Sequence, residues 1–334
     1  MRKKKISDSD FLYSTARIRA LENGICTGDK FAQMAEAKAF DDLQRLLEEA
    51  GLPGDQEPFE AIDSRVQEAF SLVRELSGSD VFDVFRYPYD AHNLKSLLKA
   101  ELRGQDMAGL VIDLGTLPAN RLYAAQQDHD FSAFPPHMAQ AAGPALEAYA
   151  KTKDPQRMDT MIDQACFADM LSKADEYDFP FLNELIRHKI DLTNLLTLLR
   201  LLRTQKAHAQ VSHINEAFVR AHMIEGGTLA AGSLAALFSA GEEAFFSFLA
   251  AGNFQELAAL GAQCSIAAFE RAADDAYMRY IRDHTKYIAY GAGVLCAFIA
   301  AKETEAKNFR ILVASVRGKI PPAEIKERLR LSYV

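Results

Sequence analysis

The 334-residue chain, 49% hydrophobic and 25% charged, is long enough to bury large cores and falls with globular proteins, not with disordered or fibrous ones. Its four Cys (Cys26, Cys166, Cys264 and Cys296) have no paired spacing, which excludes a disulfide framework and predicts reduced, buried thiols in a cytoplasmic protein. The net charge of −8 is uneven: residues 1–20 carry six basic against two acidic residues and 302–330 carry eight against four, leaving about −16 for the rest.

Taken in chain order, Met1-Arg-Lys-Lys-Lys5 leads into Ser7 and Asp8 with no apolar core, so no signal peptide is expected, and an N-terminal helix follows. Helical spacing runs through Met34 to Ala50, Phe238 to Ala251 and Glu256 to Arg279. Loops are marked by Gly51-Leu-Pro-Gly-Asp55, Ser77 to Asp80 and Phe134-Pro-Pro136. Tyr287 to Ala301 holds fifteen uncharged residues including two Gly, short of the roughly 20 that a membrane span needs, and reads as a core helix. No segment alternates with period two, so the expected fold is all-α with about fifteen helices.

One short pattern occurs three times: an acid, an Asn three residues later, an apolar residue, two free positions and an apolar pair. The copies are Asp90, Asn93, Leu94, Leu97, Leu98; Asp191, Asn194, Leu195, Leu198, Leu199; and Glu305, Asn308, Phe309, Leu312, Val313. Of the eight Asn only these three have an acid three residues before them, which argues for a repeat with a period of about a hundred residues. At helical pitch each Asn borders an apolar face, Asn93 with Leu97 and Ala100, Asn194 with Leu198 and Leu201, Asn308 with Leu312 and Val316. The expected role is a buried amide bonding a neighbouring backbone, in preference to a ligand or partner contact. Asp90 and Asp191 are placed as N-caps or first-turn acids, whereas Glu305 lies inside a run of helix formers.

A Gly-containing element follows each copy: Leu114-Gly-Thr-Leu-Pro118, Gly226-Gly-Thr-Leu229 and Gly318-Lys-Ile-Pro321, with a related phrase at Gly24 to Phe31. The chain then divides into three helical repeat domains, 1–110 with the N-terminal helix, 111–222 and 223–318, and a C-terminal helix at 319–334. That last helix is expected to pack back on the first repeat and complete it, closing a three-unit ring whose two basic chain ends form one positive patch.

The sequence offers no catalytic, cofactor-binding or metal-binding signature. There is no Walker loop, no complete dinucleotide fingerprint, no Gly-x-Ser-x-Gly and no Cys-x-x-Cys. Glu184 with His188 and Glu270 with Asp274 are helix-spaced polar pairs, and His208, His213 and His222 are too irregular for a metal site. A helical-repeat scaffold gripping peptides in a groove is the competing reading, but its repeats run about 34–47 residues.

The phrases Tyr87-Pro-Tyr-Asp90-Ala-His-Asn93-Leu-Lys95 and Asp191-Leu-Thr-Asn194-Leu-Leu-Thr-Leu-Leu-Arg200 resemble the repeated signatures of the C subunit of V/A-type ATPases, relative of the vacuolar d subunit. The resemblance runs from Tyr13-Ser-Thr-Ala-Arg-Ile-Arg19 to Gly318–Arg330. Departures are Glu305 and Phe309, Leu196 where the other copies have Lys95 and Arg310, and the 51–58 and 129–144 segments. What it implies is a non-catalytic, three-fold pseudo-symmetric helical funnel that couples the central stalk of a rotary ATPase to the membrane proteolipid ring. Such a part would be a monomer within the complex, peripheral on the inner face of the cell membrane, with no cofactor and no nucleic acid partner. On that reading the polar stripe Thr193, Thr197, Arg200, Thr204 is a candidate stalk-facing surface, and Lys3, Lys4, Lys5, Lys326, Arg328 and Arg330 are a candidate membrane-side patch.

Overall fold

The structure, a computed structural model, describes residues 4–104, 109–207 and 214–334. Among these residues there are sixteen α-helices, two short 3-10 helices and no strand. The chain divides into two compact units, one of residues 1–5 and 81–247 and one of 6–80 and 248–334.

In the first unit the helix Pro155–Glu176 is the hub. It packs on Tyr87–Arg103, Pro136–Thr152 and Pro180–Ala207, burying Met158, Ile162, Cys166 and Met170. Asp154 starts it, its carboxylate accepting from the Gln156 amide while Pro155 takes a position that needs no amide. In the second unit the hub is Ala292–Arg317, in contact with Leu12–Glu22, Phe40–Glu49, Pro58–Ser77, Ile266–Thr285 and Pro322–Arg328. Its first ten residues are all buried, as a helix apolar on every side must be. No helix among the described residues is long and apolar enough to cross a membrane.

The three motif copies lie on helices of 17, 28 and 26 residues, Tyr87–Arg103, Pro180–Ala207 and Ala292–Arg317. Asp90 sits in a first turn; Asp191 does not, contrary to its expected place at a helix start. The Lys189-Ile190 step contains no breaker, so the helix begun at Pro180 runs straight through it. Two expected long helices are interrupted. Phe238 to Ala251 is cut at Gly241, whose φ of 91° only Gly adopts cheaply, and Met34 to Ala50 gives way between Met34 and Phe40. The 51–58 segment is the loop before Pro58, and 129–144 is a loop followed by the start of Pro136–Thr152, with Pro144 inside that helix. All four Cys are free thiols; Cys264 is half-exposed where burial was expected.

Candidate functional site

Each motif helix grips a strap of extended backbone. Asn93 donates through Nδ2 to the Ile112 carbonyl and accepts from the Ile112 amide, both at 2.9 Å. Asn194 does the same to Ile224 at 2.8 Å in both directions. Asn308 does it to Arg330, at 3.0 and 2.8 Å. A primary amide presents a donor and an acceptor side by side, and a residue's own amide and carbonyl offer the complement, which an apolar side chain cannot reproduce.

The acids grip the same straps a few residues on. Asp90 accepts from the Thr116 amide and hydroxyl, at 2.8 and 2.7 Å, and from the Leu117 amide at 3.4 Å. Asp191 accepts from the Thr228 amide and hydroxyl and from the Leu229 amide at 3.0 Å. Strap glycines let the carboxylates approach: a Cβ on Gly115 would stand 2.3 Å from Asp90 Oδ1, and one on Gly227 2.2 Å from Asp191 Oδ1. Burial pushes the Asp90 carboxyl up to about 6, against the opposing pull of the Thr116 hydroxyl and strap amides.

A third grip was not singled out in the sequence. Arg86 donates to the carbonyls of Leu114 and Gly115, and Arg187 donates to the Gly226 carbonyl at 2.7 Å. Both arginines stand four residues before the acid, in Arg86-Tyr-Pro-Tyr-Asp90 and Arg187-His-Lys-Ile-Asp191, and that shared spacing was the available signal. Asp169 is a second omission. Buried on the hub helix, it accepts from the amides of His137 and Met138 at 2.9 Å and holds the start of Pro136–Thr152.

The third copy is built differently. The element expected to follow it, Gly318 to Pro321, only ends the helix, with the Ile320 amide bonded to the Ser315 carbonyl. Its strap comes instead from both chain ends: Asn308 holds Arg330, while Glu305 accepts from the Cys26 amide at 2.8 Å. Cys26 stands two residues before its helix, as Leu117 and Leu229 do before theirs, so Ile25 falls where the threonines stand and supplies no hydroxyl. Ala301 likewise falls where the arginines stand. Arg65, from the helix Pro58–Ser77, takes over: it donates to Glu305 Oε2 at 2.9 Å and to the carbonyls of Ala50 and Gly24. Lys302 adds a second cation 2.9 Å from Glu305. Phe309 stands edge-on to Phe31, centroids 5.3 Å apart, which accounts for an aromatic where the other copies have Leu. Beside the motifs, Lys95 pairs with Asp163 at 2.7 Å and Arg310 with Asp63, while Leu196 has no charge to offer.

Of the remaining expected residues, Thr193 and Thr197 are half-buried and Arg200 and Thr204 exposed, with Thr193 and Thr204 bonding carbonyls one turn back. Lys4 is exposed in the first unit and pairs with Glu176 at 2.9 Å; Lys5 is exposed, and Lys3 lies outside the described residues. In the second unit Lys326 pairs with Glu36 and Arg328 lies 3.8 Å from Glu324. Arg330 is not a surface charge. Its side chain is 11% exposed and bonds Asp274 at 2.8 Å beside Glu270, which also gives the Glu270 and Asp274 pair its role. Glu184 is exposed and His188 half-buried on one helix, His222 bonds the Phe218 carbonyl, and His208 and His213 lie outside the described residues. No group of three or more His, Cys, Asp or Glu among the described residues is arranged to hold a metal ion. One surface was unforeseen: Leu12, Tyr13, Tyr287, Ile288 and Tyr290 are exposed, and the helix Leu12–Glu22 buries Ser14 and Thr15 while turning Leu12 and Tyr13 outward.

An all-helical protein whose repeated polar residues clamp its own straps is defined by architecture, and nearly its whole length is matched by one family. The family model described as ATP synthase (C/AC39) subunit matches residues 14–328, and the chain belongs to that family, the C subunits of the V/A-type rotary ATPases. It is 25% identical to the C subunit of the V-type sodium ATPase of Enterococcus hirae, over 95% of this chain and 97% of that one. It is 24% identical to the C subunit of the A-type ATP synthase of Methanosphaera stadtmanae, over 96% and 87%, and 24% identical to that of the V-type ATP synthase of Thermus thermophilus, over 96% and 98%.

Proposed function

We propose that this member of a rotary ATPase is the non-catalytic adaptor of the central rotor, coupling the central stalk to the membrane proteolipid ring as ions move. The end-to-end match to the C subunits of such ATPases carries the reading. Three amide-and-acid clamps, each holding backbone against a long helix, support it, because an element that transmits torque must resist internal slippage. In this reading the chain forms three pseudo-symmetric units around a funnel, works as a monomer within the complex and sits on the inner face of the cell membrane. The exposed side of Pro180–Ala207, with Thr193, Thr197, Arg200 and Thr204, faces the stalk, and the basic chain ends serve the membrane side.

The test is association of the purified full chain with the central-stalk subunits and the detergent-solubilised ring of its own complex, alongside an ATPase assay. Binding to both without hydrolysis is expected. A chain that ignores stalk and ring, or that hydrolyses ATP alone, overturns the assignment. Reversing Lys326 and Arg328 should weaken ring binding and its salt sensitivity if the basic ends face the membrane; unchanged binding removes only that contact.

A further inference from the structure

We infer that the last six residues, Leu329 to Val334, form a latch that opens while the rest of their unit stays folded. In the first two straps the residue gripped by Asn and the amides gripped by the acid lie on one uninterrupted segment, Ile112 to Leu117 and Ile224 to Leu229. Neither grip lets go without working against the other, so the two share one opening event. In the third strap Asn308 holds Arg330 and Glu305 holds Cys26, and the chain ends at Val334. The Asn grip is therefore free to open by itself.

What the tail touches is anchored without it. Arg19, which lies 3.3 Å from the Tyr333 hydroxyl, also bonds Glu22 and the carbonyls of Thr285 and Ile288. Cys26, whose carbonyl accepts from Ser332 Oγ at 2.6 Å, is held through its amide by Glu305, itself fixed by Arg65. Asp275, which accepts from the Leu331 amide at 2.7 Å, lies on the long helix Ile266–Thr285. Release thus costs the tail's own bonds and little else, the situation in which a chain end opens well below the global unfolding energy. Because Tyr333 braces Arg19 and Thr285, opening loosens the 286–290 loop that carries the exposed Tyr287 and Tyr290.

Amide hydrogen exchange on the full chain, read residue by residue, tests this with internal controls. The amides of Ile112, Ile224 and Arg330 make the same bond to an Asn side chain, so they differ only in how their strap is tethered. Arg330 and Leu331 should exchange at least ~10-fold faster than Ile224, with the Cys26 amide remaining slow. Ser332→Ala should speed Arg330 and Leu331 further and leave Cys26 unchanged. Equal protection of Arg330 and Ile224, or Cys26 exchanging in step with Arg330 in either protein, overturns the latch.

Discussion

The unit formed by residues 81–247 holds two copies of one clamp and the unit formed by 6–80 and 248–334 holds a third, and the two units solve the same backbone problem with different chemistry. In the first, a short Asp meets a strap that supplies its own hydroxyl and amides, and an arginine four residues earlier on the same helix holds the strap carbonyls. In the second, the strap is made from two chain ends and has no hydroxyl. A longer Glu reaches the Cys26 amide, and a guanidinium from a different helix neutralises it and holds the Gly24 carbonyl. The lesson is that what the fold requires is the set of strap bonds, and that the residue types follow from where the chain happens to be cut. Neutral donors suffice where the strap is continuous; buried charge appears where it is not.

The sharpest way to break this contrast is Glu305→Ala. It strands Arg65 and Lys302 beside the Cys26 amide, and losing one partner of a buried ion pair costs about 3–5 kcal/mol. Asp191→Ala removes bonds from neutral donors and should cost about 1–3 kcal/mol. Urea unfolding of the two variants compares them, and an equal or smaller loss for Glu305→Ala would show that the ionic clamp is no stronger than the neutral one.

Next in size is the pH response of the first clamp. The folded Asp90 carboxyl, raised from its ordinary 3.8 to about 6, binds its proton more tightly than the unfolded chain does. The stability it contributes is therefore complete below pH 3.8 and is lost as pH rises through about 6, a change of up to roughly 3 kcal/mol. The difference in unfolding free energy between wild type and Asp90→Asn should drift across that window in this direction. A flat difference from pH 4 to 6.5 would show the carboxyl to be unperturbed.

Asn194→Leu is smaller, at about 1–3 kcal/mol, because it leaves the amide and carbonyl of the buried Ile224 unpaired. Asn93→Leu should cost less, since Ile112 is half-exposed and water can replace the amide. Thermal melting that ranks them in the opposite order would mean that burial does not set the strength of the Asn grip. The smallest effects separate the glycines. Gly115→Ala and Gly227→Ala push a methyl into a carboxylate and should cost about 1–3 kcal/mol. Gly24→Ala meets only the Leu21 carbonyl at 3.4 Å and should be tolerated; a loss matching the other two would place the Glu305 strap closer than its bonds indicate.

Much of this was legible in residue order. Helical periodicity gave an all-α expectation, and the Asp/Glu-x-x-Asn pattern singled out the three helix positions that grip straps. Two of the three strap segments were also picked out by their Gly-Thr-Leu phrases. What was misread was misread for local reasons. Asp191 resembles a cap because Asp favours helix starts, yet the strap it binds lies 37 residues further on. Arg330 resembles a solvated charge because it ends a basic run, yet Asp274 and Glu270 stand beside it in space.

The sequence by itself determined the helices, the buried faces and the recurrence of one polar pattern, because those depend on spacings within a few turns of one helix. Only the tertiary structure decided that the third clamp is closed by Cys26 and Arg330, residues 304 positions apart in a chain that carries no local mark of their meeting. It also decided that Arg65 stands in for an arginine missing from the motif helix. Such partners are chosen by the packing of whole helices: once Pro58–Ser77 lies against Ala292–Arg317, a guanidinium on one reaches a buried carboxylate on the other, and no periodicity along either helix reports that contact.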